Sequence, residues 1–375
     1  MFTGLDPHGH RVVRNGYPLL DGFQTLTEAL QSAGYDTLGI VAASPIAANM
    51  GMAQGFRLFD DDTRTDMGPR TEDRGDRVTR RALDLLEQRE PERPLFLWVH
   101  YYDAHSPYEA PAEFTSRFVA PGSEPGFAGR AATKRLSDLI REGSVSQEDI
   151  DYLRSLYQGE VAWVDFQVGR LLGELESRGI LEDSLVVFAG DHGEMFAETR
   201  PHPLGHGYDV DLWVSRVPLV ITGTGSLSMT PSVVTQPVKL SDLPSTVLGL
   251  LGVSDEGLGD GQDLRGLMRG ETLEAAPIFL EATKSKSKPS APDWNNLRKE
   301  RGVVWRDHVY LTAPARRGSG SLHRLDGDQS PVEDAPLMDE LRGLLEVWDQ
   351  GAPPFRPETM DQETREALRA LGYIE

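Results

Sequence analysis

The chain has 375 residues, no cysteine and a formal net charge of −21 at pH 7. That charge argues against nucleic acid or an anionic membrane surface as partner, since neither polyanion would be neutralised, and the lack of thiols excludes disulfides and thiolate metal sites. No apolar run approaches the roughly 18 residues of a membrane span, and the first seven residues carry neither the basic nor the apolar region of a leader.

In chain order, Thr25 with Glu28 forms a capping box ahead of a helix for which Gly34 is the stop. Short apolar runs at 37–42, 94–100, 184–189, 217–222 and 277–281 have the length and composition of buried strands. The Gly- and Pro-rich stretch 116–132 reads as a loop. A helix is predicted over 146–178, with Leu153, Tyr157, Val161, Val164, Val168, Leu171 and Leu175 on one apolar stripe and Gly179 as its end. Residues 283–302, with Lys284, Lys286 and Lys288, read as a solvated connection. Beyond it, strand-like pieces at 302–305 and 307–312 precede helices near 334–348 and 361–371. Such alternation predicts a layered α/β/α main domain over 1–282 with a mostly parallel sheet, followed by a small C-terminal α+β subdomain over 283–375.

Three clusters can carry chemistry. The strand at 184–189 runs directly into Asp191-His192-Gly193-Glu194, and ligands of open α/β sheets bind beyond the carboxyl ends of strands. Asp191 offers a hard oxygen and His192 a nitrogen, both usable by a divalent metal; Gly193 permits a sharp turn or a close approach. An ordinary capped turn with a surface histidine fits the same four residues. The strand at 94–100 ends in His100, Asp103 and His105. There an imidazole can donate a proton to a leaving oxygen, a role expected of His105, whereas His100 reads as satisfied by backbone hydrogen bonds. His206 lies between Gly205 and Gly207, where it can approach an anion closely. His308 and His323 read as structural, and Trp98 and Trp163 as core.

In this order and spacing the pieces resemble the sulfatase family of the alkaline-phosphatase superfamily. Thr3-Gly-Leu-Asp-Pro-His-Gly-His10 is similar to the segment that follows the family's nucleophile. Residues 26–37 resemble the next helix and strand. Residues 96–111 match an Asp-x-His-x-Pro-Tyr element, and Tyr157 to Asp165 the long helix before the metal-bearing strand. Val217-Pro218-Leu219 and 242–247 fit the closing part of the main domain, and 368–375 resembles a tail found in many bacterial members.

The resemblance implies an alkaline-phosphatase-like three-layer sandwich and metal-dependent hydrolysis of sulfate esters, of small molecules or carbohydrates, through a covalent intermediate. It assigns Asp191 and His192 as metal ligands, His105 as proton donor or substrate ligand, His206 as a sulfate-binding group and His10 as a further substrate contact. Calcium is the expected ion, with manganese, zinc or magnesium as alternatives. It also implies that the first strand, two more acidic ligands and the formylglycine nucleophile lie upstream of Met1. The sheet is therefore expected to lack a central strand and expose its edges. No residue of the chain is the nucleophile, and the 375 residues alone are expected not to turn over. A phosphoesterase or phosphonate monoester hydrolase of the same superfamily is one alternative; a degenerate relative acting as a binding protein is another.

Overall fold

The computed structural model describes residues 1–12, 17–62, 64–65, 68–69, 73–120, 146–198, 204–283, 299–312, 320–326 and 330–353. In chain order the elements that matter are α1 (Pro7–His10), α2 (Leu26–Ser32), β1 (Asp36–Ile40), β2 (Leu58–Asp60), α3 (Gly75–Leu86), β3 (Leu95–Val99), α4 (Ala112–Thr115) and α5 (Gln147–Ser177). They continue with β4 (Leu185–Ala189), β5 (Met195–Phe196), β6 (Leu204–Gly205), α6 (Leu212–Ser215), β7 (Leu219–Gly223) and α7 (Leu243–Leu251). The last are β8 (Ile278–Glu281), β9 (Arg301–Trp305), β10 (His308–Thr312), β11 (Ser321–Arg324) and α8 (Ala335–Gln350). The predicted loop 116–132 lies outside the described residues from 121 on. The helix near 361–371 and most of 283–302 lie outside them too.

Strands β2, β1 and β3 form a parallel sheet in that order. Alternation of side chains sends Leu38, Ile40, Leu95, Leu97 and Val99 to one face, against Val78, Ala82 and Leu86 of α3 and Leu171 and Leu175 of α5. Phe96 points to the other face, where Leu26, Ala29 and Leu30 of α2 pack with Val247 and Leu248 of α7. Helices thus cover both faces, the arrangement a parallel sheet requires. Gly39 sits in β1 because a Cβ there would lie 2.8 Å from the Phe59 ring.

Leu185 of β4 packs on the same α2–α7 cluster as Phe96, so β3 and β4 share a layer. They are nevertheless not paired: β4 pairs antiparallel with β7 in a separate two-stranded sheet. The expectation of one mostly parallel sheet is therefore met in two pieces, only one of them parallel. Val187, Phe188 and Val220 of the second piece are exposed.

The long helix differs from its predicted stripe. Val161 is 44% exposed, while Glu160, Trp163 and Gln167 are buried with Leu153, Leu171 and Leu175. The buried side of its middle faces polar backbone of the loop after β3, so part of that face is necessarily polar. At both predicted starts the capping box is formed: Thr25 with Glu28, and Ser146 with Asp149.

The C-terminal unit is an antiparallel sheet in the order β8-β9-β10-β11. Val303, Tyr310 and Leu322 face Leu341 and Leu345 of α8, and the opposite face packs on Val210 and Leu212. β8 precedes residue 282, yet its partner is β9. The chain start is bolted to this unit. His8 stacks on Trp348 at 3.6 Å between ring centres, and Trp348 Nε1 donates to Asp6 at 2.7 Å. Glu281 at the end of β8 is surrounded by His8, Lys299 and Arg301, all nearly solvent-free.

Candidate active site

Two strand ends and one glycine-flanked loop build the site. At the end of β3 the His100 amide donates to Ile40 O at 2.9 Å, and His100 Nδ1 accepts from the Ala42 amide at 3.4 Å. Burial holds its pKa down at about 4, so it is a neutral imidazole satisfied by backbone, as the sequence suggested. The chain then turns. Asp103 accepts from the Gly75 amide at 2.8 Å and from Trp163 Nε1 at 2.9 Å, which ties the turn to α3 and α5.

His105 follows, its ring stacked on Tyr102 at 4.4 Å and its Nδ1 2.7 Å from Ser106 O. A carbonyl can only accept, so Nδ1 carries the proton and Nε2 is the lone-pair nitrogen. Burial, reinforced by neighbouring His206, holds the His105 pKa at about 4. Without a ligand His105 is therefore a neutral imidazole at neutral pH. An anion beside it favours the imidazolium.

At the end of β4, Asp191 Oδ1 accepts from the His192 amide at 2.9 Å, and His192 Nε2 is 3.6 Å from Asp191 Oδ2. Gly193 answers a steric demand. Its amide donates to Val214 O at 2.8 Å, and a Cβ there would fall 2.2 Å from Trp213 O. The close approach is thus to the backbone of α6, which presses the Asp191–His192 turn into place.

The third part comes from the β5–β6 ribbon, where Met195 pairs with Gly205. This pairing sets His206 beside Glu194, 3.3 Å from Nδ1 to Oε1. Gly205 and Gly207 have φ of 91° and 86°, so the glycines around His206 are what allows that backbone. The His206 ring stacks on His192 at 3.9 Å and meets His105 edge-on at 5.1 Å. Three imidazoles separated by 87 and 14 residues in sequence thus converge. With His10 and His100 they line one cavity of about 1970 Å³, with Lys239, Arg216 and Arg306 elsewhere on its walls. His10 is also neutral, its pKa lowered to about 4 by burial, and its Nδ1 accepts from the Val12 amide at 3.1 Å.

The fit of a divalent ion is partial. Asp191 and His192 are adjacent and accessible, but no group of three or more potential ligands forms among the described residues. Two donors are fewer than such an ion needs. Glu194 was legible only as part of a motif; its contact with His206 is what makes it a site residue. Tyr108, whose phenol is pushed up by burial and by Glu194, is a second missed neighbour. His308 pairs with Asp307 at 2.8 Å and His323 with Ser321 at 2.8 Å, outside this cluster.

Comparison with known proteins bears on the family and the fold. The family profile described as Sulfatase matches residues 1–253. The chain is 25% identical over 199 residues to an arylsulfatase of Clostridium perfringens, covering 51% of this chain and 41% of that protein. It is 27% identical over 298 residues to a choline-sulfatase of Rhizobium meliloti, covering 74% and 54%. The multifunctional alkaline phosphatase superfamily protein PehA of Trinickia caryophylli is 25% identical over 338 residues, covering 70% and 64%. The chain therefore spans about half the length of the curated relatives it matches.

Among solved structures, the phosphonate monoester hydrolase of Silicibacter pomeroyi superposes with a TM-score of 0.64 at 22% identity, covering 93% of this chain and 83% of that one. Ps i-CgsB in complex with k-i-k-neocarrahexaose gives a TM-score of 0.65 at 16% identity, covering 98% and 84%. These likenesses show the shared fold. With the family profile extending over two thirds of its length, the chain belongs to the sulfatase family, hydrolases of the alkaline-phosphatase superfamily.

Proposed function

We propose that this chain binds sulfate monoesters of small molecules or carbohydrates and takes part in their hydrolysis. The observation that carries the reading is the convergence of His105, His192 and His206 on one cavity beside Asp191. His206, oriented by Glu194, holds a sulfate oxygen, and His10 contacts the ester from α1. The anion raises the proton affinity of His105, which takes the proton of an attacking water as that oxygen bonds to sulfur and returns it to the leaving oxygen as the ester S–O bond breaks. Asp191 and His192 have the donor chemistry of metal ligands. Among the described residues they are the pair that would hold a divalent ion, which would supply Lewis-acid stabilisation of the ester oxygens. The names of the curated relatives favour the sulfate ester, and the sugar-bound neighbour supports a carbohydrate leaving group. Similarity to PehA supports phosphorus esters as a second reading.

The test is calorimetric binding and nitrophenolate release with 4-nitrophenyl sulfate, 4-nitrophenyl phosphate and a phenylphosphonate monoester. The sulfate ester should bind most tightly, His206→Ala should lose most of that binding, and His105→Ala should reduce any turnover by about 10²–10⁴-fold. Binding without turnover identifies a binding protein, and preference for the phosphonate identifies the second reading. Equal binding of all three esters by wild type and His206→Ala sinks both.

A further inference from the structure

Glu160 lies on the buried face of α5 and is 3% exposed. Its carboxyl group accepts hydrogen bonds from the backbone amides of Glu109 and Ala110. Those amides close the loop that begins at His105. The middle of the loop is anchored by Tyr108, buried against Tyr157 of α5 and Phe196. Its near end is held by Asp103, which accepts from Trp163 Nε1. Glu160 and Trp163 are about one helical turn apart, so α5 grips both ends of the segment that carries His105.

We propose that Glu160 is a pH-responsive latch that positions His105 through the loop 105–110. The inference rests on His105 being a working group of the site. Burial pushes the Glu160 carboxyl group up to about 8, and Asp103, facing it from the turn after β3, adds to the effect. The Glu109 and Ala110 amides, which favour the carboxylate, and Arg74 at the head of α3 oppose it without cancelling it. Tyr108 from the loop and Tyr157 from α5 are uncharged neighbours, and Glu113 of α4 points to solvent.

Any opening that lets water reach Glu160 returns its carboxyl group to the ordinary 4.5. The closed loop therefore binds the proton more tightly than the open one. Raising the pH from about 5 to about 8 must then favour opening, by up to about tenfold per pH unit. His105 is already neutral throughout that window, so its own ionisation is not the source. The latch is closed below the window and released above it.

Hydrogen exchange at the Glu109 and Ala110 amides reads the latch, after correction for base-catalysed intrinsic exchange. In the wild type the opening equilibrium should rise with pH by up to about tenfold per unit between pH 5 and 8, and the His105 ring resonances should move over the same range. In Glu160→Gln, which keeps the shape and loses the ionisation, both should be independent of pH. Asp103→Asn should keep the slope, separating the two carboxyl groups. A flat wild-type profile, or a slope retained in Glu160→Gln, overturns the latch. Should that variant fail to fold, carboxyl NMR of the wild type decides alone: a Glu160 midpoint near the ordinary carboxylate value refutes the proposal. Neither measurement reads turnover, so a failed latch and a failed hydrolase reading are distinguishable.

Discussion

Gly193 stands at a point where one methyl group decides the site. A Cβ there would meet the Trp213 carbonyl at 2.2 Å, and backbone cannot swing aside as the end of a flexible side chain can. Gly193→Ala is expected to cost about 1–3 kcal/mol through overpacking, measured by urea unfolding. It should also disturb the His192–His206 stack, seen as a shift of both ring resonances. An unchanged midpoint with unchanged rings would mean that α6 yields freely. The sequence placed a glycine after Asp191-His192 and allowed either a sharp turn or a near ligand. Which backbone comes near is a tertiary fact, because Trp213 is 20 residues away.

At the scale of elements, local rules carried far. Thr25 and Glu28 satisfy each other's backbone donors at 3.1 and 2.8 Å, and such reciprocal caps need only neighbouring residues. Thr25→Ala is expected to lower stability by about 1 kcal/mol, while Thr25→Ser should keep most of it; thermal unfolding of the pair checks this. Strands β1, β3, β4, β7 and β8 each fall within two residues of an apolar run in the sequence, although only β1 is buried along its whole length and β4 and β7 expose Val187, Phe188 and Val220. The face of α5 was less legible. Periodicity chose Val161, but the neighbours of that helix include amides needing an acceptor, and Glu160 turns inward to supply it. A hydrophobic count cannot see a partner that belongs to another segment.

Across the whole molecule, stability should depend on two buried electrostatic features. Arg301 and Lys299, 2% and 4% exposed, face Glu281 at 3.4 and 3.2 Å. Glu281→Ala removes the carboxylate that both buried cations face, and a loss of roughly 3–5 kcal/mol is expected in denaturant titration. A loss below 1 kcal/mol would mean that water enters the gap. The second feature is acid sensitivity. His10, His100 and His105 all have pKa values lowered to about 4 by burial. In the unfolded chain they take up protons near 6.5, so stability is complete above that pH and falls as pH drops toward 4. The slope approaches about 1.4 kcal/mol per pH unit for each histidine at its steepest. Unfolding midpoints from pH 7 to 4.5 measure it, and replacing His100 by Gln should flatten the curve.

What the sequence by itself determined is the ordered set of strands and caps, the family, and the identity of His105, Asp191, His192 and His206 as groups at strand ends and turns. Those follow from residues close together in the chain, where propensity, capping and periodicity act. Tertiary structure alone decided that the three imidazoles meet, that β3 and β4 share a layer without pairing, that Glu194 orients His206, and that Glu160 holds the His105 loop. Each of these joins groups from about a dozen to many tens of residues apart, and their proximity depends on how helices, ribbons and sheets pack. Burial then sets the protonation of His105, whose pKa of about 4 leaves it a neutral imidazole at neutral pH.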